Sequence, residues 1–375
     1  MKTAIVMLAA VLAATPASAQ FGGALGKLNK AADTAEKAKG LKISEADERK
    51  IGDQVSLQIR DSFGVYQDKE VTKYVTLLGT LLAQASSRPT LNWEFIVLDT
   101  DGVNAFAAPG GIVHITRGAL GLAKNEAELA GMLGHEITHV TEKHTINSIQ
   151  KSNMVGIGTD QVGKGGLLQE AIAKVAEQAY KNVLNNKFDR NEENEADKLG
   201  IALANKAGYA PNGLGTLLTK ISDRNKDQKE PNGMFASHPQ LTDRVGKIKQ
   251  TITTEKLTAT AMVAARYTKT ITFDAKPITA IAVIADGSRG LAGGSGSTAK
   301  KEDEKKDEKD TKKGGMFGGK LGLSKGSEAK SSQTVASAGA RGGVPDRDAV
   351  GGPNKSKVNV TVTPGEVAAF KKGIA

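Results

Sequence analysis

The run His135-Glu136-Ile137-Thr138-His139 constrains this chain more than any other feature, because it ties two imidazoles and a carboxylate to one helix. Leu129, Leu133, Ile137 and Val140 recur at helical spacing around it, and Asn125 with Glu128 forms a capping box at its start. Residues four apart share a helix face, so His135 and His139 can ligate a single ion. Zinc takes neutral imidazole nitrogens and, at catalytic sites, keeps one position open for water. Glu136 can act on that water as a base without being a ligand. Only five of the 375 residues are His, so two at this spacing around a Glu are no accident of composition. Both flank the apolar stripe of the helix, whereas surface histidines would lie opposite it.

A catalytic zinc needs a third protein ligand. The sequence has no Cys, which removes thiolates as ligands and as nucleophiles, and excludes a disulfide framework. A third His at the metzincin spacing is also excluded, since Glu142 and Thr145 stand where Gly and His are required and His144 comes one place early. With His nearly exhausted, the alternative is a carboxylate from a second helix. Glu193-Asn194-Glu195-Ala196-Asp197 offers one: Glu193 and Asp197 share a face, so one can ligate while the other hydrogen-bonds a ligand His.

The pattern around these motifs reads as an α+β fold, a mainly helical domain over residues 44–256 with a small β-sheet. Ser44 and Asp47 open a helix whose stripe is Ile51, Val55, Ile59 and Phe63, and Val71, Val75, Leu78 and Leu82 form a second stripe. Trp93 to Leu98 and Ile112 to Thr116 read as strands, with a turn-rich stretch from Asn104 to Gly111 between them. Gly156 to Gly166 carries five glycines in eleven residues and reads as a mobile loop. Asp189 caps a helix that ends at Gly208.

The ends of the chain have another character. Lys2, the apolar run Ile5 to Ala14 and Ala17-Ser18-Ala19 make residues 1–19 a signal peptide, followed by a flexible lead-in over 20–43. Tyr267–Phe273 and Ile278–Ile284 alternate like strands within a segment 257–286, and Val358, Val360 and Val362 suggest a last strand within 353–375. Between them, residues 287–352 hold sixteen glycines and the mixed-charge block Lys300 to Lys313, a composition that predicts disorder. The net charge is +10, but interleaved acids nearly cancel that block, which argues against nucleic-acid binding. No segment after the signal peptide is long and apolar enough to cross a membrane.

H-E-I-T-H, then E-N-E-A-D-K-L-G from Glu193, then S-H-P-Q-L-T-D-R from Ser237 resemble the HtpX/BepA/CAAX-prenyl-protease family of gluzincin zinc metallopeptidases. N-A-F-A-A-P-G-G-I-V-H-I-T-R-G-A-L, Asn104 to Leu120, is similar to the strand preceding the zinc helix in periplasmic members. Together these motifs cover residues 44 to about 255. The resemblance implies a zincin-type fold with one zinc ion per chain, held by His135, His139 and Glu193. Glu136 is then the base and Asp197 the outer partner of a ligand. It implies substrate binding along the Ile112–Thr116 strand, with Asn104, Ala105, Phe106, Gly111, Ile112 and Val113 as the substrate-strand residues. His114 stands where relatives more often carry a hydrophobic residue, so it is not expected to ligate. Arg244 is implied to lie near the metal helices. His238 is implied either to gate the metal from a movable loop or to donate a hydrogen bond during catalysis.

The function this implies is a zinc endopeptidase, exported to the periplasm or secreted. It would cleave unfolded or extended envelope proteins, and its C-terminal tail would contact an envelope-protein partner. The alternative is a chaperone-like or scaffold protein on the same fold, with a shielded, largely inactive metal site.

Overall fold

The computed structural model describes residues 43–151, 169–184, 188–230, 233–234, 238, 241–281 and 354–374, with the backbone of 162–163, 166–167 and 185. The signal peptide, nearly all of the lead-in and the segment 287–352 lie outside the described residues, as does most of the glycine-rich stretch from Gly156.

Helix α1 (Glu45–Phe63) starts where Ser44 accepts the Asp47 N–H, and buries Ile51, Val55, Ile59 and Phe63. Helix α2 (Lys69–Ala85), capped by Asp68, buries Val71, Val75, Leu78 and Leu82. Three strands follow: β1 (Glu94–Leu98), β2 (Ala105–Ala108) and β3 (Ile112–Thr116). Their order is β1-β3-β2, with β3 parallel to β1 and antiparallel to β2. The stretch from Asn104 to Gly111 is therefore not all turn. Ala105-Phe106-Ala107-Ala108 lacks the β-branched residues that signal a strand, yet it pairs with β3 through a hairpin closed by Gly110 and Gly111 at φ 73° and 97°.

The pleat sends alternate residues into two cores. Ile96, Leu98, Phe106 and Ile112 pack with α1 and with α6 (Gln169–Asn185). Phe95, Val97, Ala105, Ala107, Val113 and Ile115 pack with α2 and with the helices that carry the metal motif. After α3 (Arg117–Leu122) comes α4 (Glu126–Thr141), capped by Asn125 and buried from Glu126 to Val140. Next come α5 (His144–Lys151) and, beyond α6, α7 (Arg190–Ala207) behind a full capping box of Asp189 and Glu192. Helices α8 (Gly213–Arg224) and α9 (Leu241–Thr254) complete this core.

Two glycines set the α4–α7 distance. A Cβ on Gly134 would meet the Gly200 carbonyl oxygen at 2.6 Å, and one on Gly200 would meet the His135 nitrogen at 2.6 Å. Any side chain at either position would push α7, with Glu193 and Asp197, away from the two histidines.

Neither strand expected after residue 257 forms among the described residues, and residues 282–284 of the second lie outside them. Ala264–Thr270 is a helix, α10, and Ile278–Ala280 a single 3₁₀ turn. Tyr267 and Ile271 are one helical turn apart and both enter the core, so a 3.6-residue period is at work where alternation suggested two. Val358, Val360 and Val362 do alternate, half-buried between exposed neighbours, but no backbone ladder joins them. Thr363 and Glu366 then form a capping box for α11 (Pro364–Lys372).

The chain end belongs to the same body as the metal helices. Val367, Phe370 and Ile374 join the core of α2 and α4, and the Arg266 guanidinium lies 3.9 Å over the Phe370 ring. Arg266 also holds the buried Glu126 carboxylate at 2.5 and 2.6 Å, shared with the hydroxyls of Tyr74 and Tyr209. The N-terminus of α4 is thereby clamped from the C-terminal segment. The core extends well past the expected boundary near residue 256.

Candidate metal centre

Helices α4 and α7 bring His135, His139 and Glu193 together, and His238 joins them from the segment before α9, all four buried. One donor atom from each lies within 4.8 Å of the others. His135 Nε2 is 3.0 Å from His139 Nε2 and 3.3 Å from His238 Nδ1. Glu193 Oε1 is 2.9 Å from His238 Nδ1 and 3.7 Å from His139 Nε2, and Glu193 Oε2 is 3.7 Å from His135 Nε2. Donors of a tetrahedral zinc site with bonds near 2.0–2.1 Å stand about 3.3 Å apart. Three imidazoles and one carboxylate at these separations fit a zinc ion by spacing and by donor chemistry.

Electrostatics agree with the donor set. Burial, with the neighbouring His135 and His238, holds His139 well below the ordinary imidazole range, so it stays neutral as a ligand must. Burial alone would raise Glu193, but His238 and Arg244 outweigh it and keep the carboxylate ionised. Glu136 differs: burial raises it above the usual carboxylate range despite nearby His238 and His135. Neither of its oxygens has a hydrogen-bond partner; Oε1 lies 3.7 Å from His238 Nε2. A buried carboxyl with both oxygens unpaired, beside a ligand cluster, is placed to receive a proton.

Asp197 and Arg244 brace the His135 and Glu193 side chains of the cluster. Asp197 Oδ1 lies 3.0 Å from His135 Nδ1, which orients the ring with Nε2 toward the cluster. Arg244 grips Asp197 through two bonds of 2.6 and 2.8 Å and pairs with Glu193 at 2.7 Å. Those carboxylates raise the guanidinium further above its usual range against the pull of burial, and Arg244 in turn helps keep Asp197 far below its own.

Other residues fall elsewhere or were not singled out by the sequence. His114 lies on the sheet face opposite the metal helices, 2.9 Å from Ser56 Oγ, and burial holds its pKa down to about 3. Ile112 and Val113 cannot offer a strand edge, because β3 is central and both its sides are paired, and Gly111 lies in the hairpin turn before it. The edge among the expected residues is β2, preceded by Asn104. Its four residues are buried, with α1, α4 and α6 packed around it. Phe188 stacks on His139 with 4.1 Å between ring centres, a role no sequence pattern signalled. Glu230 accepts the Val103 N–H at 2.9 Å, and Met234 N–H donates to Val103 O at 3.0 Å. Glu230 and Met234, ahead of His238 in the chain, are thus fastened beside the start of β2.

A helix carrying His-Glu-x-x-His, packed directly on a carboxylate-bearing helix beside a small mixed sheet, is the arrangement of a zincin-type metallopeptidase. Residues 69–252 match the model of peptidase family M48, and the chain belongs to that family. It is 27% identical over 220 residues to the beta-barrel assembly-enhancing protease of Yersinia pestis, covering 55% of this chain and 44% of that protein. It is 26% identical over 221 residues to metalloprotease YcaL of Escherichia coli, covering 58% and 85%. A mitochondrial metalloendopeptidase of Schizosaccharomyces pombe is 28% identical over 183 residues, covering 48% and 52%. The chain spans less than half the length of the assembly-enhancing protease.

Proposed function

We propose that this chain is an exported zinc endopeptidase that cleaves unfolded or misfolded proteins of the cell envelope. The observation that carries the reading is the buried set His135, His139 and Glu193 with the unpaired Glu136 carboxylate beside it. The export signal in residues 1–19 and the relatives named for beta-barrel assembly support the compartment. When bound, a zinc ion polarises the scissile carbonyl and acidifies a water at neutral pH. Glu136 accepts the proton of the attacking water and delivers it to the departing amine. Asp197 and Arg244 keep the His135 ring turned toward the cluster through both transfers.

A substrate adds to the free edge of β2 in extended form, main chain to main chain, which selects unfolded over folded chains. That edge is buried in this conformation. His238 Nδ1 stands among the ligand atoms, and Met234, four residues earlier, is tied to Val103 at the head of β2. His238 therefore acts as a gate: as a fourth ligand it leaves no place for the attacking water, and substrate entering along β2 displaces its segment.

The test is cleavage of an unfolded casein by the mature protein, with and without chelator, followed by zinc readdition. Zinc-dependent cleavage is expected, and binding of unfolded chains without any cleavage would favour the chaperone-like alternative. His238→Ala is expected to raise basal cleavage several-fold at unchanged zinc content. A lowered rate would end the gate and make His238 a hydrogen-bond donor in catalysis.

A further inference from the structure

The two ligand histidines of α4 are supported in different ways, and one support involves a histidine that the ligand set leaves unused. His144 is buried, and its Nδ1 lies 2.9 Å from the Nδ1 of His139. Its Nε2 lies 3.2 Å from Glu195 Oε2, a carboxylate at the protein surface. We infer that His144 is a positioning residue for the metal centre, orienting His139 through a His139–His144–Glu195 chain. The inference rests on the zinc reading above.

Proton placement follows from the geometry. His139 Nε2 faces the ligand cluster, so a ligating His139 carries its proton on Nδ1. Across 2.9 Å that N–H needs an acceptor, and His144 Nδ1 is the atom that meets it. His144 then carries its own proton on Nε2, where the Glu195 carboxylate accepts it. Each contact thus fixes the tautomer of the ring before it. His135 has the carboxylate form of the same arrangement in Asp197.

The backbone explains how a histidine placed one residue too early for a ligand comes to stand there. Helix α4 ends at Thr141, and Lys143 takes a positive φ of 58°, a conformation that disfavours any residue but glycine. This turn stops the helix and starts α5 at His144, bringing the His144 ring behind His139. A straight continuation of α4 would instead place residue 144 well over a full turn further along. Phe188 stacks on the His139 ring, so that ring is held by a stack and by a hydrogen bond at once.

The experiment is zinc affinity by competition with a chromophoric chelator, alongside thermal unfolding of the metal-free proteins. His144→Leu removes the acceptor and is expected to weaken zinc binding about 10- to 100-fold. His144→Asn, whose Oδ1 stands near the position of Nδ1, is expected to recover most of that loss. His144→Gln, whose oxygen reaches toward Glu195 instead, is not. Glu195→Ala, a change of an exposed side chain, should weaken binding by a smaller factor. The cobalt-substituted protein should show a visible absorption spectrum altered in His144→Leu and restored in His144→Asn. Wild-type affinity in His144→Leu overturns the inference. So do equal affinities in the Asn and Gln variants, which settle the matter even if the Leu variant fails to fold. Failure of the wild type to bind zinc would instead strike the metal reading itself.

Discussion

Glu136→Gln is expected to leave zinc content and fold intact while lowering cleavage of unfolded protein about a thousandfold. The amide has the shape of the carboxylate but cannot take a proton from water, and general-base catalysis is worth 10²- to 10⁴-fold, about 10³ here. The fold should tolerate the change well, because neither Glu136 oxygen has a hydrogen-bond partner to lose. Burial raises the pKa of this group, so removing its charge also removes a desolvation cost, and the variant should unfold at the same or slightly higher temperature. Undiminished cleavage by the variant would mean that the base lies elsewhere.

Arg244→Leu should do the opposite, acting on stability before chemistry. Arg244 is buried and holds Asp197 by two bonds and Glu193 by an ion pair. Without it two buried carboxylates lose their counter-charge, a kind of loss that costs about 3–5 kcal/mol. Chemical denaturation of the metal-free protein should show the full effect, since a bound cation would compensate part of it. Arg244→Lys should recover only a fraction, because an ammonium cannot make the paired contacts of a guanidinium. A change below about 1 kcal/mol in the leucine variant would show that the pair contributes little. It would also remove Arg244 as the anchor of Asp197.

Much of this centre was legible in the sequence because its parts sit on regular helices. His135 and His139 four apart, and Glu193 and Asp197 four apart, each declare a shared face, and Asn125 and Asp189 mark where the helices begin. What was not legible depends on contacts between elements. Gly134 against Gly200 sets the helix separation, yet an isolated glycine in a helix reads as a weakness. The strand β2 was hidden because Ala105, Ala107 and Ala108 have low strand propensity and pair only through β3. His144 looked like a failed ligand, since sequence spacing carries no trace of the positive-φ turn at Lys143.

The C-terminal region misled for a related reason. Alternation over Val358–Val362 describes one-sided burial, which a sheet supplies most often but an extended segment lying on helices supplies equally well. Thr363-Pro364-Gly365-Glu366 did carry a helix-start signature, and it outranks the alternation before it. Arg266, reaching both Glu126 and Phe370, links the returning chain to the N-terminus of α4, where Tyr74 and Tyr209 also hold the Glu126 carboxylate.

The most direct test of the account is the zinc content of the purified mature protein and of its Glu193→Ala variant, measured by elemental analysis after gel filtration. The account predicts one zinc per chain in the wild type and loss of it in the variant, with both retaining helical content. Full zinc occupancy in Glu193→Ala would contradict it, because the two histidines of α4 would then be holding the ion without the carboxylate that α7 brings to them.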